Sequence, residues 1–165
     1  MPRMHSLELV PDADGCEVVR RDWQALRDAA LPSQLDHRGT TNTPHVTLVA
    51  APVVRPADED LAAELLAPLL PLDVRAAGLA LLGGSRVTLV RVIDVPADLV
   101  RAVLDLRAGV PAVQHPGWLP HVTLARRMPR AVVPAALEAL GHDDVTLRLT
   151  AIRRWDPDAG VVRTL

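Results

Sequence analysis

Apolar positions recur along this chain with two periods, and each change of period marks an element boundary. Ser6–Val10 reads as a short strand. Over Glu17–Leu31 the spacing becomes helical, with Val18, Val19, Trp23, Leu26 and Ala30 on one stripe. Residues 32–43 are polar, contain Pro32 and Gly39, and predict a loop. His45–Ala50 predicts a strand. Asp58–Leu70 predicts a helix, opened by Pro56 and by acidic residues in its first turn, where the helix dipole favours negative charge. Leu72–Leu82 and Ser85–Val95 predict two strands joined at Gly83-Gly84, a hairpin signal. Pro96–Ala108 predicts a third helix, residues 109–119 a second loop, His121–Arg126 a strand, and Val132–Leu140 a short helix stopped by Gly141. Val145–Trp155 and Gly160–Leu165 predict a closing hairpin around Asp156-Pro157-Asp158. Strands and helices alternate, with hairpins in both halves. The expected fold is therefore α+β, one domain over 1–165, with two antiparallel sheets flanked by helices.

One repeat changes the picture. Residues 44–48 read Pro-His-Val-Thr-Leu, and residues 120–124 read the same. The copies lie close to half a chain length apart, so each predicted half holds one. In a strand, residues i and i+2 share a face. His45 and Thr47 therefore point one way while Val46 and Leu48 point the other, and His121 and Thr123 part from Val122 and Leu124 in the same manner. Pro44 and Pro120 stand where each strand begins, the place at which a missing N–H does least harm.

Two such strands facing each other line a cleft with two imidazoles and two hydroxyls. That set suits phosphodiester cleavage. One histidine takes a proton from the attacking nucleophile and the other gives one to the leaving oxygen. Histidine serves both tasks because its ordinary pKa is about 6.5. The threonines can hydrogen-bond non-bridging phosphate oxygens. A metal hydrolase is the first rival, but zinc takes three or four His, Cys or carboxylate ligands, and each copy offers one His beside a Thr. A catalytically idle module that binds RNA ends or nucleotides is the second; intact His and Thr in both copies count against it. The expectation is thus no metal and no cofactor.

The paired motifs resemble the 2H phosphoesterase superfamily, and in particular its 2′-5′ RNA ligase-like, 2′,3′-cyclic phosphodiesterase branch. The second copy carries the fuller likeness: Trp118-Leu119-Pro120-His121-Val122-Thr123-Leu124-Ala125-Arg126 resembles the branch's aromatic, Pro-His-x-Thr-Leu, then Arg. The first copy continues Val49-Ala50-Ala51-Pro52, where the branch often has an aromatic and a Leu-Gly pair. The resemblance implies a bilobal, pseudo-twofold fold with the four motif residues facing a central cleft. It implies hydrolysis of 2′,3′-cyclic phosphates, commonly to a 2′-phosphate, with 2′-5′ joining or action on related RNA ends and cyclic nucleotides as alternatives. It also implies Arg126 as a phosphate ligand. By parity, five residues from His121 is the wrong face unless the strand ends or bulges, whereas Arg127 shares the His121 face. Trp118 is a candidate for stacking on a base, and His37, Arg38 and His115 are candidate loop contacts. His5 and His142 read as surface residues.

Composition narrows the partners. The chain has 165 residues, about half apolar, and a formal charge of −2. Near-neutral charge disfavours a grip on long nucleic acid by counterion release, which leaves a small nucleotide or an RNA end. There is no lysine, which removes Schiff-base chemistry and the phosphate-loop lysine. The single cysteine, Cys16, excludes an internal disulfide and reads as a small packing residue. No apolar run approaches the ~18 residues of a membrane span, and Met1–Cys16 lacks the apolar block of a signal peptide. The expectation is a cytoplasmic protein, a monomer, with no membrane partner.

Overall fold

The computed structural model describes residues 3–165; Met1 and Pro2, the start of the segment read for a signal, lie outside the described residues. The first strand, β1 (His5–Pro11), alternates as its sequence requires: Leu7 and Leu9 are fully buried against helices, and Ser6 and Glu8 occupy the other face. Its chain turns at Asp12, whose side chain accepts the Gly15 N–H at 2.8 Å and caps helix α1 (Ala13–Asp28). This cap starts the helix earlier than the apolar stripe predicts. Gly15 is required there, because a Cβ at this position would lie 2.8 Å from the Pro11 Cβ. The helix also stops earlier. Ala30 takes a left-handed conformation (φ 57) and is exposed, and the Leu31 N–H reaches back to the Leu26 carbonyl.

The remaining elements are β2 (Val46–Ala51), α2 (Pro56–Leu66), β3 (Leu72–Gly83), β4 (Arg86–Asp94), α3 (Ala97–Gly109), β5 (His121–Pro129), α4 (Val133–Leu140), β6 (Val145–Asp156) and β7 (Val161–Thr164). A 3₁₀ turn at Gln34–Asp36, closed by a capping box on Ser33, orders the first predicted loop. Another at Ala67–Leu69 takes up the tail of the predicted second helix. Gly141 (φ 71) ends α4 where the sequence placed its stop. No helix among the described residues is long and apolar enough to cross a membrane.

The strands form one antiparallel sheet in the order β2-β1-β6-β3-β4-β5, with β7 added to β6. The expected two sheets are thus two limbs of one. The cause is β6, twelve residues long. Its C-terminal part pairs with β1, from Leu149 opposite Pro11 to Trp155 opposite Ser6. Its N-terminal part pairs with β3, from Val145 opposite Ala76 to Leu149 opposite Leu72. Each limb ends in a motif strand, and β2 and β5, the two ends of the path, come into contact with each other. The helices cover the apolar faces as two pairs, α2 with α3 and α1 with α4. They cross between halves: α1, from the first half, packs on β5, and α3, from the second, packs on β2. Trp23, Leu26, Leu48, Leu106, Val122 and Leu124 are all buried in the shared core. Asp22 of α1 also holds the buried Arg91 of β4, Nε at 2.5 Å and Nη2 at 3.0 Å.

Candidate active site

His45 stands one residue before β2 and His121 opens β5. Thr47 and Thr123 follow within the strands. All four side chains are half-buried, while Val46, Leu48, Val122 and Leu124 between them are in the core. Both imidazoles are held alike. His45 Nδ1 lies 2.7 Å from the Thr43 carbonyl, and His121 Nδ1 lies 2.7 Å from the Leu119 carbonyl. A carbonyl only accepts, so each Nδ1 carries a hydrogen and each Nε2 is the atom left to give or take a proton.

The threonine carbonyls are braced across the molecule. The Trp23 indole donates to the Thr123 carbonyl at 3.0 Å, and the Trp118 indole donates to the Thr47 carbonyl at 2.9 Å. Trp118 is half-buried and its N–H serves this brace; any stacking on a base falls to its remaining ring surface. Arg107 of α3 fastens the second loop to the first motif strand: Nη1 donates to the Leu48 carbonyl at 2.7 Å, and Nη2 to those of His115 and Gly117. His115 itself is exposed, as are His37, Arg38 and His142. His5 is buried rather than superficial; its Nδ1 accepts from Arg154 Nη2 at 2.9 Å, and its Nε2 lies 3.2 Å from Asp158. That site sits around the Arg154 cation, apart from the motif. Cys16 is buried, and burial above all raises its thiol pKa, which suits packing and not nucleophilic attack.

The strand parity read from sequence does not survive the end of β5. Leu89 pairs with Ala125 but Val90 with Thr123, so Leu124 is an extra residue, and Thr88 is opposed by both Arg126 and Arg127. Consecutive burial of Leu124 and Ala125 records the first bulge. It returns Arg126 to the His121 side, and the Arg126 charge acts on that ring. Arg127 takes the left-handed conformation (φ 55), is exposed, and has its carbonyl held by Arg86 at 3.0 Å. The His121 pKa is lowered from the ordinary 6.5, first by burial and then by the positive fields of His45 and Arg126, against the opposing Leu119 carbonyl.

The sequence reading missed the floor beside His45. Glu8 of β1 is opposite Thr47 on one side and Arg153 of β6 on the other, so the three form a row across the sheet. Glu8 and Arg153 are 3% and 7% exposed. Arg153 Nε donates to Glu8 Oε2 at 2.6 Å, the Ser6 hydroxyl donates to Oε1 at 2.6 Å, and Oε1 lies 3.6 Å from His45 Nε2. Arg153 Nη2 is also 3.3 Å from His45 Nδ1. Both groups are donors there, and the shorter bond to the Thr43 carbonyl takes the imidazole hydrogen. Burial pulls the Glu8 pKa upward and is its largest single influence, but His45, Arg153 and Ser6 together hold it below the usual range. A signal was present: Glu8 stands between two leucines in a strand, which puts it on the face opposite the core.

The sequence profile of the 2′-5′ RNA ligase superfamily matches residues 16–160. No curated protein matches the chain by sequence. Solved structures share its fold. Usb1 of Kluyveromyces marxianus superposes with a TM-score of 0.55 at 14% identity, over 99% of this chain and 97% of that one. E. coli LigT in apo form gives 0.53 at 17% identity, over 99% and 94%. A protein described only as a phosphoesterase gives 0.51 at 15%, over 99% and 94%. With that match over most of its length, and the shared architecture beside it, the chain belongs to the 2′-5′ RNA ligase superfamily, that is, to the 2H phosphoesterases.

Proposed function

We propose that this protein is a metal-independent phosphodiesterase that hydrolyses a 2′,3′-cyclic phosphate, on an RNA end or a nucleotide, to a 2′-phosphate. The observation that carries the reading is the matched pair of His-x-Thr strands, each with Nδ1 fixed to a carbonyl and Nε2 left for proton transfer. One imidazole accepts a proton from water as the other donates to the departing ribose oxygen, help typically worth ~10²–10⁴ in rate. Thr47 and Thr123 hold the non-bridging oxygens, and Arg126 adds positive charge beside His121. The donor set supports the absence of a metal step, since each half offers one imidazole and a neutral hydroxyl, a poor zinc site.

Nucleotide-sized substrates fit the near-neutral charge. They also fit the relatives, since LigT structures contain 3′-AMP and ATP. The joining of 2′-5′ ends is the same ring opening with a 5′-hydroxyl in place of water as the nucleophile, and the superfamily match supports keeping it as a second activity to assay.

The test is turnover of a nucleoside 2′,3′-cyclic phosphate panel, with and without EDTA, beside His45→Ala and His121→Ala, with the phosphate position of the product resolved. Turnover that survives EDTA, falls ~10²-fold or more in both variants and yields a 2′-phosphate is expected. Activity abolished by EDTA, or retained in either variant, would sink the proposal.

A further inference from the structure

The two histidines share a motif but not a setting. On the first limb the cross-strand neighbours of Thr47 are Glu8 and then Arg153. On the second limb the matching neighbours of Thr123 are Val90 and then Ala80. One imidazole thus stands over a buried ion pair and the other over apolar side chains.

We infer that Glu8, braced by Ser6 and Arg153, is the positioning residue that makes His45 the proton donor of the pair and leaves His121 as the acceptor. The inference deepens the phosphodiesterase reading and rests on it for the identity of the reacting groups. Three charged or titratable groups face His45: Glu8 from β1, Arg153 from β6 and His121 from β5. They are not arranged evenly around the ring. The carboxylate is beside Nε2, the atom that must carry the transferable proton, at 3.6 Å. The guanidinium is beside Nδ1, at 3.3 Å, behind the reacting side. An anion next to Nε2 favours a proton there. Ser6 donates to Glu8 Oε1 and Arg153 to Oε2, so both oxygens are held and the carboxylate is fixed beside the ring. Around His121 the recorded charges are His45 and Arg126, both positive, and with burial they favour the neutral ring.

The step then balances as follows. Water attacks phosphorus, an O–P bond forms, and the water proton passes to His121 Nε2. The bond from phosphorus to O3′ breaks with its electron pair on O3′, which takes the proton from His45 Nε2. His121 ends protonated and His45 neutral. Exchange with solvent resets both, and Glu8 draws the returning proton to His45.

Diethyl pyrocarbonate tests this without reference to turnover, because it acylates only unprotonated imidazole nitrogen. At pH 6, followed by peptide mass spectrometry, His45 is expected to react more slowly than His121. Glu8→Gln is expected to speed His45 at least three-fold with His121 unchanged. Should the lone Arg153 unfold that variant, Glu8→Asp keeps the ion pair but draws the carboxylate back from His45 Nε2, and a faster reaction at His45 is again expected. No change at His45 in a folded variant would overturn the inference. The second arm compares a nucleoside 2′,3′-cyclic phosphate with a p-nitrophenyl phosphodiester, whose leaving group needs no proton. The losses in His45→Ala and Glu8→Gln are expected to shrink at least ten-fold on the p-nitrophenyl ester, and that of His121→Ala to persist. The reverse pattern would also overturn it. Absence of turnover on both substrates would instead count against the phosphodiesterase reading alone, with the acylation result still deciding the role of Glu8.

Discussion

The Trp118 indole nitrogen lies 2.9 Å from the Thr47 carbonyl oxygen, so the loop leading into one motif strand is bonded to the middle of the other. Trp23, from helix α1, donates likewise to the Thr123 carbonyl at 3.0 Å. Both motif strands are sheet edges, and their outward carbonyls need partners. Each receives one from the opposite half of the chain. Trp23 is 2% exposed, so Trp23→Phe keeps an aromatic side chain but loses the N–H and part of the buried ring, and the unpaired carbonyl alone is expected to cost about 1–3 kcal/mol. Trp118→Phe, in a half-buried place that water can reach, is expected to cost about 0.5–1.5 kcal/mol. Urea unfolding reads both. Equal losses would mean that the two braces are equally dry.

Arg107 should matter to turnover more than to folding. Its guanidinium spans the carbonyls of Leu48, His115 and Gly117, and burial lowers its pKa. A lysine ammonium has neither the fork nor the reach to hold all three. Arg107→Lys is expected to keep the far-ultraviolet spectrum, to quicken proteolysis within residues 109–119, and to lower kcat/KM on the cyclic phosphate about ten-fold, equivalent to about 1.4 kcal/mol. Unaltered cleavage of that loop would show that Arg107 does not hold it.

The bulge in β5 separates two adjacent arginines. Arg126→Ala is expected to raise KM for the cyclic phosphate about ten-fold, in keeping with a hydrogen bond to a charged group. Arg127→Ala, at an exposed left-handed position, is expected to change KM less than two-fold. Exchanged effects would mean that the strand runs regularly through Ala125 in solution.

His121 links activity and stability to pH. Its lowered pKa keeps it a base below 6.5, so the acid limb of kcat/KM is expected to have its midpoint below that value. The folded state binds this proton less readily than the unfolded chain does. The stability His121 permits is therefore complete above 6.5 and is lost as pH falls through the lowered folded value. Urea midpoints across that window should fall with pH in the parent and fall less in His121→Ala. A flat parent curve would contradict the shift.

Much of this architecture is written in periodicity. Leu7 and Leu9, or Val122 and Leu124, cannot be buried in a strand without turning Glu8 or Thr123 to the other face, and the repeated Pro-His-Val-Thr-Leu pointed to the groups proposed to react. What failed to be legible depends on distant partners. That Leu149 joins both β1 and β3, fusing two expected sheets into one, follows from pairings made across most of the chain. Arg126 reaches the His121 side because β4 forces extra residues into β5. The role of Glu8 is not legible locally, because it depends on Arg153 and His45, which are distant in sequence. Ala30 shows the converse: it fits the helical stripe, yet the helix stops before it.

The long strand β6 also governs how the protein can be made. β1 is synthesised before β6, but one of its two edges pairs with residues 149–155 of that strand. Until those residues have been synthesised, that edge is an unclaimed template for other strands. The first half therefore cannot mature while the second is translated, despite its own motif and its own helices. The two halves that look like copies in sequence are, for the cell, a single unit of folding that is finished only when β6 arrives.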